Sequence, residues 1–171
     1  MKIQAVDVLV MAPSFIEEVM EESRNVGVDL SPFVIDHFCF RVETQEQYSF
    51  YKKDFDSLGK LLSEAIISGR PISTYKLNKP LQVFNKIVPC IEIPAPKDGA
   101  PYPLGLEHIE CVVPEPLTVF MQRFPQLKFN LGALKNPINP EIALKLPSGR
   151  SVKFHNQTLE QVIEIEKKLG L

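Results

Sequence analysis

The sequence predicts an α+β protein of two successive modules, each running strand, helix, strand, strand, strand (βαβββ), with an extra helix before the first and another after the second. Three observations predict this. A Pro-rich connector, Pro94 to Pro103, divides the 171 residues near the middle. Each half opens on a strand-like run carrying an acid, a histidine and an apolar residue in a row, Asp36-His37-Phe38 and Glu107-His108-Ile109. Each half then shows one stretch of helical period followed by three of strand character. What repeats is the order of elements rather than residue identity.

The elements follow in order. Phe15, Ile16, Val19, Met20, Ser23 and Val26 recur at helical spacing, so residues 14–26 read as a helix stopped by Gly27, within an N-terminal helical segment 1–30. The first module spans 31–96. Val34–Val42, rich in β-branched and aromatic residues, is its first strand. Thr44-Gln45-Glu46-Gln47 is a capping-box pattern that opens a helix with Tyr48, Tyr51, Phe55 and Leu58 on its core face and Gly59 near its end. Leu61–Ile67, Ile72–Leu77 and Leu81–Ile93 are the remaining strands. The last starts late, because Pro89 lacks the N–H that a central strand needs.

The second module spans 104–156. Leu106–Val113 is a strand, and Pro116 suits the first position of a helix with Leu117, Phe120, Met121 and Phe124 on one face, closed by Pro125. Strands follow at Lys128–Leu134, Glu141–Leu146 and Ser151–His155, the last two joined by a Ser148-Gly149-Arg150 turn. The C-terminal helix, 157–171, opens with Thr158 and Gln161 as a capping box. The whole reads as one domain.

Composition narrows the function. Hydrophobic residues are 44% and charged residues 23%, an ordinary globular balance that excludes disorder and coiled coil. Nineteen Lys and Arg against 21 Asp and Glu leave no basic excess for phosphates, so nucleic acid is not expected as a partner. No apolar run reaches the ~18 residues of a membrane span. Asp7 interrupts the apolar start, and Glu17, Glu18, Glu21 and Glu22 follow on a helix, so a cytoplasmic protein is expected rather than a secreted one. Cys39, Cys90 and Cys111 agree: an odd number with no paired spacing reads as buried free thiols.

All three histidines fall inside strands, and period-2 alternation assigns their faces. Phe38, Phe40 and Val42 face one way, His37, Cys39 and Arg41 the other. Ile91 and Ile93 oppose Cys90 and Glu92. Ile109, Cys111 and Val113 oppose His108, Glu110 and Val112. Val152 and Phe154 are apolar, with Lys153 and His155 beside them. A solvated face usually carries Lys, Glu, Thr and Ser; these faces carry every imidazole in the chain together with Glu92 and Glu110. Imidazole and carboxylate are the donor set of a first-row divalent metal, although a lone strand histidine is more often structural. Glu110 suits proton transfer, or simply a salt bridge. Arg41 suits a substrate carboxylate or phosphate, or an acidic neighbour. Arg70, in the Gly69-Arg70-Pro71 turn, is a second substrate anchor if it leans over the site, and Glu64 and Lys153 are further candidates for its lining. Tyr75 and Phe84 read as core.

Ile35-Asp36-His37, Gly59-Lys60-Leu61-Leu62-Ser63-Glu64, Ser68-Gly69-Arg70-Pro71-Ile72, Leu106-Glu107-His108-Ile109-Glu110 and Val152-Lys153-Phe154-His155 resemble the bacterial YecM family from residue 29 onward. The order of elements resembles the vicinal oxygen chelate superfamily, which includes glyoxalase I and extradiol dioxygenases. The resemblance implies two paired βαβββ modules in a cupped mixed sheet, with metal ligands on the first and last strands of each. By position these are His37, Glu92, His108 and His155. The superfamily commonly has Glu on the last strand, where this chain has His155. That change implies a site tilted towards zinc, nickel or copper, with iron and manganese still open.

The expectation is therefore a protein binding one divalent metal (Zn, Ni, Mn or Fe) through His37, His108 and His155 with Glu92. As an isomerase, lyase or oxygenase it would act on a small oxygen-rich substrate, with Glu110 moving a proton and Arg41, Arg70, Glu64 and Lys153 lining the substrate side. The alternatives are a non-catalytic small-molecule binding protein using the same cup, and a metal-free protein in which the histidines hydrogen-bond across the sheet. Either a monomer or a homodimer fits.

Overall fold

Two threonines fix the starts of two of the four helices among the described residues. Thr44 Oγ1 accepts from the Gln47 N–H at 3.1 Å. Thr158 forms a full capping box, taking the Gln161 N–H while Gln161 takes the Thr158 N–H. Each satisfies backbone donors that a helix start leaves open. The structure, a computed structural model, describes residues 3–100 and 102–171; the parts of the sequence reading that touch Met1, Lys2 and Pro101 lie outside the described residues.

The element order is α1 (Ala5–Asn25), β1 (Val34–Arg41), α2 (Gln45–Phe55), β2 (Gly59–Ile67), β3 (Arg70–Val83), β4 (Lys86–Pro94), β5 (Gly105–Val112), α3 (Leu117–Gln122), β6 (Phe129–Asn130), β7 (Glu141–Lys145), β8 (Ser151–His155) and α4 (Leu159–Leu169). Each half therefore runs βαβββ, as the sequence predicts. No helix of the described residues is long and apolar enough to cross a membrane.

The chain divides into two units, Met1–Phe15 with His37–Glu107 and Ile16–Asp36 with His108–Leu171. In the first, the strand order is β2-β3-β4-β1. β1 runs parallel to β4, with His37 opposite Cys90 and Cys39 opposite Glu92, and the other neighbours are antiparallel. A parallel pair needs a long crossover, which α2 begins. Its core lies between sheet and helix, where Phe40 meets Tyr51 and Phe55 meets Tyr75. In the second unit the order is β5-β8-β7-β6, with β5 parallel to β8. Phe120 of α3 packs on Phe154 of β8 with ring centroids 4.7 Å apart.

Several boundaries differ from the sequence reading, each for a physical reason. α1 begins at Ala5 rather than at 14, because two carboxylates satisfy its first N–H groups: Asp7 accepts from Gln4 at 2.8 Å and Asp54 from Ala5 at 2.6 Å. Pro13 lies inside this helix at the loss of one backbone hydrogen bond. Leu81–Ile93 is not one strand. A turn at Phe84 and Asn85 breaks it, so Leu81–Val83 ends β3 and Lys86 begins β4. Phe84 stands at the turn with φ 51 and is exposed, not core. Pro89 is tolerated inside β4 because the ladder with β3 is irregular there, passing from Lys76 opposite Cys90 to Leu81 opposite Val88. Pro116 is the N-cap of α3 rather than its first residue. Of Lys128–Leu134 only Phe129 and Asn130 are strand, since the following residues turn on Asn130 and Asn136 side chains.

Candidate metal centre

The second unit gathers its chemistry on the face of the sheet turned away from α3. Phe154 points to that helix, so Lys153 and His155, its neighbours in β8, point the other way. The parallel register sets Glu110 opposite Lys153 and Val112 opposite His155. Glu110, 4% exposed, is the centre of the group. Its Oε1 lies 3.2 Å from His108 Nε2 and 3.1 Å from Lys153 Nζ, and its Oε2 lies 3.4 Å from His155 Nε2. Lys153 also reaches Glu141 at 3.2 Å. Burial, and then the charge of Glu110, push the Glu141 carboxyl above the usual carboxylate range, while Lys153 pulls it back.

The ring of His155 is oriented by its other nitrogen. Nδ1 donates to the backbone carbonyl of Gln157. A carbonyl only accepts, so the proton resides on Nδ1, and in the neutral ring the Nε2 lone pair is directed towards Glu110. Two imidazoles and a carboxylate, all nearly excluded from water, form a donor set suited to a divalent cation.

In the first unit, His37 lies 3.6 Å from Glu92 through Nε2 and Oε2, again on the sheet face turned from the helix. Arg41, further along β1, pairs with Glu107 at 3.2 Å and stacks its guanidinium carbon 4.0 Å from the Tyr102 ring centroid. Arg70 donates to the Tyr102 hydroxyl at 3.1 Å. That bond, more than any other influence, holds the Tyr102 phenol below the ordinary tyrosine value.

Among the residues predicted from sequence, the structure brings His108, Glu110, Lys153 and His155 into one group, His37 and Glu92 into a pair, and Arg41 and Arg70 onto one tyrosine. Glu64 does not join the lining expected for it. Its carboxylate accepts from Tyr48 and Ser73 at 3.0 Å each and pairs with Lys52, all on the α2 side of the sheet. The sequence reading also passed over Tyr102, Glu107 and Glu141. Glu141 was within reach of it: the turn at residues 148–150 fixes the β7–β8 register and sets Glu141 opposite His155. Tyr102, inside the Pro-rich connector, gives no such signal.

Each unit is a βαβββ module with a parallel pair between its first and last strands. The family model described as YecM protein matches residues 5–166, and the chain belongs to that family. It is 29% identical over 169 residues to Protein YecM of Escherichia coli (strain K12), covering 91% of this chain and 90% of that protein. Its backbone is similar to the solved structure of the structural-genomics protein EC4020, with TM-score 0.78 and 29% identity over 94% of this chain and 91% of that one. A hypothetical protein of Bacillus halodurans C-125 shares the fold with TM-score 0.51 and 14% identity, covering 74% of this chain and 95% of that one.

Proposed function

We propose that the protein binds a divalent metal ion (zinc, nickel, manganese or iron) through imidazole and carboxylate donors, and handles a small oxygen-rich molecule there. The observation that carries this reading is the orientation of His155. With Nδ1 donating to the Gln157 carbonyl, His155 presents Nε2 3.4 Å from a carboxylate oxygen, and both groups are buried. An imidazole nitrogen and a carboxylate oxygen so placed can share one divalent cation. A histidine that gives its second N–H to a backbone carbonyl is oriented as metal-binding histidines are. His108, on the other oxygen of Glu110, supplies a second imidazole. In the first unit, His37 and Glu92 offer a similar pair.

When bound, the metal supplies Lewis-acid polarisation of substrate oxygens. The chain's own groups do the rest. His108 and His155 would hold the ion. Glu110, in reach of both, accepts or returns a proton at a carboxylate oxygen, with the Lys153 ammonium 3.1 Å away. The three cysteines are free and buried, which supports a cytoplasmic location.

Elemental analysis of protein exposed to zinc, nickel, manganese or iron(II) tests the reading. Stoichiometric metal is expected, lost in His108→Ala and His155→Ala. The variants His37→Ala and Glu92→Gln test the first unit's pair in the same assay. Absence of metal from the wild type under every condition overturns the reading. A panel of dicarbonyls and catechols then separates an enzyme, which turns one of them over, from a protein that binds without turnover.

A further inference from the structure

We propose that the first unit carries a separate oxyanion site, built on Arg41, Arg70 and Tyr102 with Lys97 nearby, that binds the carboxylate or phosphate group of a small molecule. The proposal does not rest on the metal reading, and none of the groups it uses belongs to that donor set.

The two arginines converge from different strands onto one phenol. Arg41 lies against the Tyr102 ring face, and Arg70 donates to the hydroxyl while its guanidinium carbon lies 5.4 Å from the ring centroid. Like charges held on one ring repel, so such a pair is stable only with negative charge close by. Among the described residues, the Tyr102 oxygen accepts from Arg70 and the Glu107 carboxylate pairs with Arg41. Lys97 adds a third cation to the field at Tyr102.

Two further observations point to a ligand. The Nε atoms of both Arg41 and Arg70 are shielded from water and have no hydrogen-bond partner among the described residues. In a guanidinium, Nε and a neighbouring Nη form the fork that grips two oxygens of one carboxylate or phosphate. Both forks are therefore only partly used. Arg70 lines a cavity of about 310 Å³ together with Lys97, Gln45, Ser68, Pro71 and Asp98. Counting Arg41, Arg70 and Lys97 against Glu107 and Asp98, three cations face two carboxylates, and one negative ligand charge brings the corner to balance. Tyr102 serves as the seat: its ring supports Arg41, and its hydroxyl holds Arg70 until an anion replaces it.

The test uses the full chain in EDTA, so that metal plays no part. Inorganic phosphate and malonate are titrated calorimetrically at neutral pH, each against potassium chloride of equal ionic strength, and the Tyr102 ionisation is followed by near-ultraviolet absorbance. Saturable binding of one or both probes is expected, with the Tyr102 ionisation moved to higher pH as the anion occupies the arginines. Arg70→Gln and Arg41→Gln are expected to weaken binding by at least about tenfold. Phosphate alone or malonate alone identifies the group recognised. The charge-conserving pair Arg41→Lys and Arg70→Lys, folded by circular dichroism, loses the forks and is expected to bind weakly as well. Responses that match potassium chloride, or binding that survives both lysine substitutions together, overturn the proposal.

Discussion

The Asp36 carboxylate accepts a hydrogen bond from the Leu159 N–H at 2.7 Å, across 123 residues of sequence. Asp36 is 3% exposed, and Leu159 opens α4, so a buried anion meets the positive end of a helix that Thr158 already caps. Asp36→Ala removes the acceptor and leaves a backbone donor to find another, with an expected loss of ~1–3 kcal/mol in urea denaturation. Asp36→Asn keeps an acceptor without the charge and is expected to fall between wild type and alanine. Equal losses for both would show that the charge, not the hydrogen bond, matters.

The four tyrosines of the chain divide one against three. Arg70 holds Tyr102 below the ordinary value of 10.0. Burial raises Tyr48 to about 12 and raises Tyr51 and Tyr75 as well. Alkaline titration of phenolate absorbance is expected to show one early residue and three late ones, with the early step absent in Tyr102→Phe. The linkage has two signs. The Tyr102 contribution to stability is present above the ordinary tyrosine value and is lost as pH falls through its lowered one. The contributions of the other three are present below the ordinary value and are lost as pH rises towards their raised ones. Two or more early residues would contradict this arrangement.

Glu64 sets a smaller acid dependence. Lys52 is the main cause of its lowered value, and burial opposes it. A lowered carboxylate contributes stability above its unfolded value of 4.5, and that contribution is lost as pH falls through the folded one. The pair is a third exposed, so Glu64→Gln is expected to remove no more than ~1 kcal/mol at neutral pH and to flatten the acid limb of stability. An unchanged acid limb would assign that dependence to other carboxylates.

Lys153 lies between the Glu110 and Glu141 carboxylates. Lys153→Met leaves two acids sharing one buried corner, and a loss of ~1–3 kcal/mol is expected, allowing for the partial exposure of the lysine. Adding Glu141→Gln to that variant relieves the repulsion and is expected to restore part of the loss. A double-mutant cycle by chemical denaturation measures the coupling; strict additivity would deny it.

Gly59 begins β2, and a Cβ there would meet the Lys76 carbonyl oxygen at 2.7 Å. That neighbour is backbone, so it cannot turn aside. Gly59→Ala is expected to cost ~1–3 kcal/mol through strain in the β2–β3 ladder, read as a lowered denaturation midpoint. A neutral result would mean that the ladder shifts freely at this point.

Much of this was legible before any coordinates. Alternation put His37, Glu92, His108, Glu110 and His155 on faces turned from the helices, because a pleat cannot place neighbours otherwise. The two threonine caps announced α2 and α4. Glu64 escaped for a reason that single-strand alternation does not show. Leu61 pairs with Tyr75, and Glu64 pairs with Ser73, so three steps along β2 match two along β3. The irregularity between them changes parity and sends Glu64 to the helix side. The sequence places Gly59 only near the end of a helix, since a short sequence window does not contain the distant carbonyl that excludes a side chain. Tyr102 depends on two arginines from other strands, a convergence that only folding creates.

The units differ in when they can close during biosynthesis. All residues of the first have been made once Glu107 leaves the ribosome, whereas the second needs both Ile16–Asp36 and His108–Leu171. Glu22 waits 126 residues for Ser148, and Asp36 waits for Leu159. The nascent chain can thus finish one half while an early helical segment of the other stays uncovered, a window in which chaperones find their substrate. A stop codon just before α4 would remove the Leu159 N–H from which Asp36 accepts, and with it a contact that this early segment waits for.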